Sequence, residues 1–280
     1  HASAEVLALH VAPALGGKNL WCQLLSEPGA GSDLGMVRTR AERATDGREG
    51  WILNGQKVWT SLAQFAQLGL VLARTNAQAS KFEGLTTFFL DMNSPGIAVR
   101  PIRQAGGESE FNEVFFDGAR TEGTLHLGPV GDGWKVAMYL LGCERGASTL
   151  GQQAHFRHEL DLIIALAKRN GAARDPLIRQ RLAKADMGLQ TLRAHALRSS
   201  DESTPLRVAS VSKYAWSNWH RDLGELAMDV LGEQGELVLR DPAFSALQQL
   251  WLVSRADTIY AGTNEIQMNL MAERALGMPR

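Results

Sequence analysis

The sequence predicts an α+β multidomain fold: an antiparallel β-barrel or sandwich followed by a four-helix bundle. Three observations carry this. Short runs of aromatic and β-branched residues, separated by turns, fill the stretch from Trp21 to about Gly128. Beyond Gly131-Asp132-Gly133 the apolar residues recur at helical spacing instead. The change is abrupt and no strand alternates with a helix, so no βαβ unit and no Rossmann fold is expected.

Ala2 to Ala14 reads as a helix closing at Pro13 and Gly16-Gly17. The strand runs are Gly50–Leu53, Lys57–Thr60, Gly69–Ala73, Leu85–Leu90, Ile97–Val99 and Glu113–Phe116. Asn54-Gly55 falls between the first two, and since both residues tolerate φ > 0 it predicts a two-residue hairpin turn. Four helical segments follow: Trp134 to about Ala167, Leu177 to Leu197 after Pro176, Ser203 to Val230 through Pro205, and one opened by Asp241-Pro242. Proline near each of the last three starts fits its preference for the first helical turn.

Among 280 residues, 29 basic and 30 acidic side chains leave a net charge of -1, without the basic excess of a nucleic-acid binder. No apolar run approaches the ~20 residues that cross a bilayer, so no membrane partner is expected. Two cysteines, Cys22 and Cys143, are too few for a disulfide framework and point to a reducing, cytoplasmic setting. His155 and His158 lie three apart on a helix, but no third ligand clusters with them and a solvated pair is expected; no metal is predicted.

The chemistry-bearing stretch is Leu25-Ser26-Glu27-Pro28-Gly29-Ala30-Gly31-Ser32-Asp33. Pro28 restricts Glu27, Gly29 and Gly31 free the backbone, and the Ser26 and Ser32 hydroxyls are left to point at a partner. Alone, such a loop is usually only a turn. In the setting Trp21-Cys22-Gln23-Leu24 it resembles the flavin-binding loop of the acyl-CoA dehydrogenases, and Tyr260-Ala261-Gly262-Thr263-Asn264-Glu265-Ile266-Gln267 resembles their C-terminal signature. Two distant motifs in the right order make the resemblance specific over nearly the whole chain.

The resemblance implies a remnant of an N-terminal helical domain over 1–20, a middle β domain over 21–128 and a bundle over 129–280. It implies FAD held by Gln23, Leu25, Ser26, Gly31, Ser32, Trp59, Ser61, Arg169, Thr263 and Glu265, and an acyl-CoA contacted by Ser32, Arg145 and Tyr260. Many family members place the base that removes the α proton just before Gly-Thr; here that position is Ala261, which has no proton chemistry. Another branch carries Glu-Arg on the first bundle helix, which Glu144-Arg145 matches, so Glu144 is the expected catalytic base. Leu140, Leu141, Gly142 and Cys143 around it are apolar or small, and burial there would raise its pKa towards neutrality.

Three departures bear on the inter-subunit half of the family's cofactor site. Arg169 is followed by Asn170-Gly171-Ala172-Ala173 where the family often shows Arg-x-x-Phe-Gly. Glu233 replaces a glycine in Leu231-Gly232-Glu233-Gln234-Gly235, and Asp229 stands where a Gln commonly binds cofactor. The implied activity is flavin-dependent α,β-dehydrogenation of an acyl-CoA, with an electron-transfer flavoprotein as oxidant and a homo- or heterotetrameric assembly. The alternatives are a catalytically silent partner subunit and a flavin oxidase or monooxygenase on the same fold. The sequence leaves the acyl group open.

Overall fold

The computed structural model describes residues 1–122, 126–144, 148–199, 211–237 and 241–279. The chain divides into two compact units, His1–Leu140 and Leu141–Arg280, with the division falling inside one helix.

The first unit is an eight-stranded sheet: β1 (Trp21–Leu24), β2 (Arg40–Arg43), β3 (Gly50–Ser61), β4 (Leu68–Arg74), β5 (Leu85–Asp91), β6 (Ile97–Pro101), β7 (Phe111–Glu122) and β8 (His126–Leu127). Its order is β6-β7-β3-β2-β4-β5-β8, with β1 on β4. The β2–β3, β3–β7, β4–β5, β5–β8 and β6–β7 pairs are antiparallel; β1–β4 and the single β2–β4 bridge are parallel. Its core gathers Leu24, Trp51, Leu53, Val71, Phe88, Leu90, Val114 and Phe116. Helix α1 (Ala4–Leu15), capped by Ser3, packs Val6 on Phe89, Leu127 and Val136, the last from α2 (Gly133–Glu144).

The predicted Asn54-Gly55 hairpin is wrong. β3 runs unbroken from Gly50 to Ser61, and Asn54 and Gly55 sit inside it at an irregularity in its pairing with β7. The sequence signal was a real φ requirement with another purpose. Gly55 has φ +151, and a Cβ there would lie 2.7 Å from the Thr39 Cα, while Asn54 Oδ1 accepts from Gly118 N at 2.9 Å. The pair lets another segment of backbone approach the strand; it does not reverse the chain.

The second unit is built from α3 (Ser148–Asn170), α4 (Pro176–Ser199), α5 (Ser212–Leu231), α6 (Pro242–Asp257) and the short α7 (Asn264–Leu270). Phe156, Leu160 and Ile163 of α3 meet Leu189 and Leu192 of α4, Trp216, Leu223 and Leu226 of α5, and Leu247 and Leu250 of α6 in one core. Each such side chain contributes roughly 1.5–3 kcal/mol on burial. Pro176 and Pro242 open α4 and α6 as the sequence predicts, and Asp241 caps α6 by accepting from Ala243 N at 2.9 Å. The predicted start of the third bundle helix, Ser203 to Pro205, lies outside the described residues, from which α5 emerges at Ser212. The single segment expected from Trp134 to Ala167 is described as α2 and α3, with residues 145–147 outside the description.

Candidate flavin and thioester site

In the β unit the loop after β1 is a tight turn. Glu27 and Ala30 exchange backbone hydrogen bonds at 3.0 Å each, with Pro28 and Gly29 exposed at the tip. The loop lies along β3, where Val58 N donates to Ser26 O at 3.0 Å. Beneath it is a pair that sequence reasoning missed. Lys57, with no exposure at all, donates from Nζ to Glu27 Oε1 at 2.8 Å and to Leu25 O at 3.0 Å. The Glu27 carboxylate also accepts from Arg38 N at 2.6 Å and Thr39 N at 2.9 Å, so one buried anion ties three chain segments together. Burial pushes the Lys57 amine down to about 8 against the pull of Glu27. Burial also pushes Glu27 up, but the Lys57 charge and the donors around it outweigh that and lower it. Its signal was available: counting in twos from the buried Trp51 and Leu53 reaches Lys57.

Two residues past Lys57 the strand kinks. Between the Lys57–Val114 and Thr60–Asn112 partners, β3 carries one more residue than β7, a β-bulge. The extra residue reverses the alternation, so Thr60 turns inward and Trp59 outward, 59% exposed. Trp59 is therefore not the wall-buried aromatic that strand tryptophans usually are; among the described residues its one ring partner is Phe111, edge-on with centroids 6.2 Å apart. Trp59 and Leu62 both have left-handed backbone, φ +61 and +55. Such residues cost about 1–3 kcal/mol each and persist only where their surroundings over-determine them. Here the surroundings are β7 and the residue before it: buried Asn112 donates to Thr60 O at 3.0 Å and Gln64 Oε1 at 2.5 Å, and Leu62 N donates to Glu110 O at 2.8 Å.

The structure thus brings Ser26 beside the kink that presents Trp59 and Ser61. Gln23 lies on β1 opposite Leu70 and is half-buried; Leu25 is buried with its carbonyl engaged by Lys57. Gly31 and Ser32 are exposed on the outer limb, next to an Asp33–Lys81 ion pair at 2.6 Å. This rim suits a planar ring system edged with acceptors. The Ser26, Ser32 and Ser61 hydroxyls have no partner among the described residues, and a Cβ at Gly29 or Gly31 would meet nothing within 4 Å. Cys22 is buried, its thiol pushed up to about 12 by burial, and has no reactive character.

In the helical unit, Tyr260 to Thr263 form the turn between α6 and α7. Ala261 is left-handed at φ +52. Gln267, buried, points back to the carbonyls of Ala261 (3.3 Å) and Gly262 (3.4 Å), and Asn264 is held by Ser217 and Asn218. Thr263 caps α7 by accepting from Ile266 N at 3.3 Å. Glu265 is fully exposed, its carboxyl held below the usual range by its own backbone N–H and the Thr263 hydroxyl. The Tyr260 hydroxyl turns inward, donating to Asp257 Oδ1 at 2.7 Å. Arg169 lies in the last turn of α3, pairs with Asp241 at 3.5 Å and lies 5.0 Å above the Phe244 ring; no contact among the described residues joins it to Thr263 or Glu265. Asp229 is engaged by Arg181. Of the expected pair Glu144-Arg145, Glu144 closes α2 but its side chain, like the whole of Arg145, lies outside the described residues. His155 is exposed and bonds Glu159 at 3.1 Å, and no group of three metal-ligating side chains occurs among the described residues.

Residues 22–119 match the acyl-CoA dehydrogenase middle domain, and residues 131–276 match the acyl-CoA dehydrogenase C-terminal domain. The chain belongs to the acyl-CoA dehydrogenase family. It is therefore an oxidoreductase from a family of flavoproteins of lipid and fatty-acid metabolism. It is 53% identical over 268 residues to the acyl-CoA dehydrogenase IpdE1 of Mycolicibacterium smegmatis, a match spanning 93% of this chain and 68% of that protein. Its fold is similar to that of the Tcur3481-Tcur3483 steroid ACAD, with a TM-score of 0.90 at 24% identity over 99% of this chain and 73% of that one. It is also similar to the ChsE4-ChsE5 complex from Mycobacterium tuberculosis, with a TM-score of 0.85 at 25% identity over 100% of this chain and 74% of that one.

Proposed function

We propose that the chain carries out FAD-dependent α,β-dehydrogenation of an acyl-CoA thioester. The observation that carries this reading is the strained β3 kink, which turns an exposed Trp59 outward beside the serine-bearing loop. A left-handed non-glycine aromatic on a surface is costly, and its neighbours hold it there. In the β unit, Ser26, Ser32, Trp59 and Ser61 are the residues offered to the isoalloxazine, with the backbone of Gln23, Leu25 and Gly31 supporting them. In the helical unit, Thr263 and Glu265 are offered to the rest of the dinucleotide, and Arg169 is the cation available for a phosphate.

Bound FAD supplies a hydride acceptor for the substrate β-carbon. The chain supplies the base: Glu144 takes the α proton, since Ala261 cannot. Ser32, Arg145 and Tyr260 orient the thioester. Reoxidation by an electron-transfer flavoprotein and a homo- or heterotetrameric assembly complete the proposal. A cytoplasmic setting rests on two unpaired cysteines, and no helix among the described residues is long and apolar enough to cross a membrane.

Ala261 and the two-protein names of the structural neighbours favour a second reading, a silent subunit of a heteromeric enzyme. The visible spectrum of the purified full-length protein decides. Bleaching of a yellow chromophore by a member of a thioester panel supports the dehydrogenase. A colourless protein, or a yellow one bleached only after a second subunit is added, supports the silent partner. Rapid oxygen consumption by the reduced protein would identify an oxidase instead.

A further inference from the structure

Inside the helical unit two carboxylates grip one imidazole. His220 of α5 is buried, with Nδ1 2.5 Å from Asp257 Oδ2 and Nε2 2.8 Å from Glu159 Oε2. The Phe156 ring centroid lies 4.5 Å from that of the imidazole and the Trp219 ring stacks at 6.3 Å, and the His220 side chain is only 7% exposed. An ionised carboxylate only accepts hydrogen bonds, so both ring nitrogens must donate, and only an imidazolium carries two N–H groups. Among the described residues, His155 Nε2 also lies 3.1 Å from Glu159 Oε1, and the buried Lys213 amine donates to the Asp257 carbonyl oxygen.

Asp257 also faces the other way. Its second oxygen, Oδ1, accepts the Tyr260 hydroxyl at 2.7 Å, one residue before the left-handed Ala261. We propose that His220, held as an imidazolium by Glu159 and Asp257, is a positioning residue that fixes Asp257, and through it Tyr260 and the turn that presents Thr263 and Glu265. The proposal rests on the reading above that this turn contacts FAD. A neutral imidazole has one N–H, so one of the two carboxylates would then face a lone pair and be repelled. Release of Asp257 removes the bond that fixes the Tyr260 hydroxyl, and the strained Ala261 loses one of the contacts that over-determine it.

The test uses the full-length protein with 15N-labelled histidine and FAD as titrant for the apoprotein. His220 shows two protonated nitrogens up to pH 8, and the FAD dissociation constant rises about tenfold, the worth of one hydrogen bond, between pH 7.5 and pH 10. Tyr260→Phe weakens FAD by a similar factor at pH 7.5 while the imidazolium signal persists, and it removes the pH dependence. His220→Gln likewise weakens FAD at pH 7.5 and removes the pH dependence, and Tyr260→Phe keeps the test open if that variant misfolds. A neutral His220 at pH 7.5 overturns the proposal. So does a Tyr260→Phe protein that binds FAD like wild type with its pH dependence intact, while the FAD reading stands. A wild-type protein that binds no FAD at any pH overturns that reading and with it the positioning role, even with the imidazolium present.

Discussion

Both units hold non-glycine residues in the left-handed region, Trp59 and Leu62 in one and Ala261 in the other, and each also buries a basic side chain, Lys57 and His220. The charges differ in their company. Lys57 has one carboxylate, Glu27, and burial depresses the amine to about 8. Burial pushes His220 down as well, but two carboxylates overcome it and raise the imidazole to about 9. One counter-charge leaves the desolvation cost of a fully buried cation uncovered; two more than offset it. Opposite pH behaviour of the two units follows. For Lys57 the folded pKa lies below the unfolded one, so the unfolded chain binds more protons and its contribution improves as pH rises from about 8 towards 10.5. For His220 the folded pKa lies above, so its contribution is full below about pH 6.5 and gone above about pH 9.

The sharpest way to break this comparison is to remove one partner from the singly paired site. Lys57→Met strands Glu27 in the interior and is expected to cost about 3–5 kcal/mol, read by denaturant unfolding at pH 7. The double variant Lys57→Met/Glu27→Leu should recover much of that loss, and no recovery would mean that the Glu27 bonds to Arg38 and Thr39 dominate. In the doubly paired site, His220→Gln should cost about 3 kcal/mol at pH 6 and little at pH 9.5, from about 1.4 kcal/mol per pKa unit. Hydrogen exchange by mass spectrometry resolves the units: between pH 6.5 and 9, after correction for intrinsic rates, protection falls in α5 and α6 and not in β3. Equal loss in both would contradict the assignment of charge.

A smaller effect is expected at the neutral clamp. Asn112→Leu leaves the Thr60 carbonyl without its donor and should cost about 1–3 kcal/mol, with the indole of Trp59 reporting a changed environment in fluorescence. The smallest effects concern strain itself. Leu62→Gly and Ala261→Gly relieve left-handed backbone but loosen the unfolded chain, so each should change stability by no more than about 1 kcal/mol. A loss of several kcal/mol at either would show that the side chain's packing there outweighs the backbone strain.

What the sequence made legible follows the same division. Helix starts at Pro176 and Pro242 and the Thr263 cap are local chemistry, and each was readable from a residue and its neighbours. The strands were readable as apolar runs, but Asn54-Gly55 misled because a φ requirement does not say whether a strand turns or is approached by a neighbour. Lys57 and His220 were overlooked because lysine and histidine are ordinarily exposed or solvated. Both stand in phase with buried neighbours: Lys57 with Leu53 at a period of two, His220 with Trp216 and Leu223 on one helix face. The Trp59 bulge could not be read, since it arises from the register of β3 against β7.

The most direct measurement of the proposed chemistry is anaerobic bleaching of the flavin by a reactive acyl-CoA, wild type against Glu144→Gln. Both proteins are expected to bind FAD and thioester, and Glu144→Gln to bleach at least about 100-fold more slowly, the usual worth of a positioned base. Bleaching at the wild-type rate would contradict the assignment of Glu144 as the base.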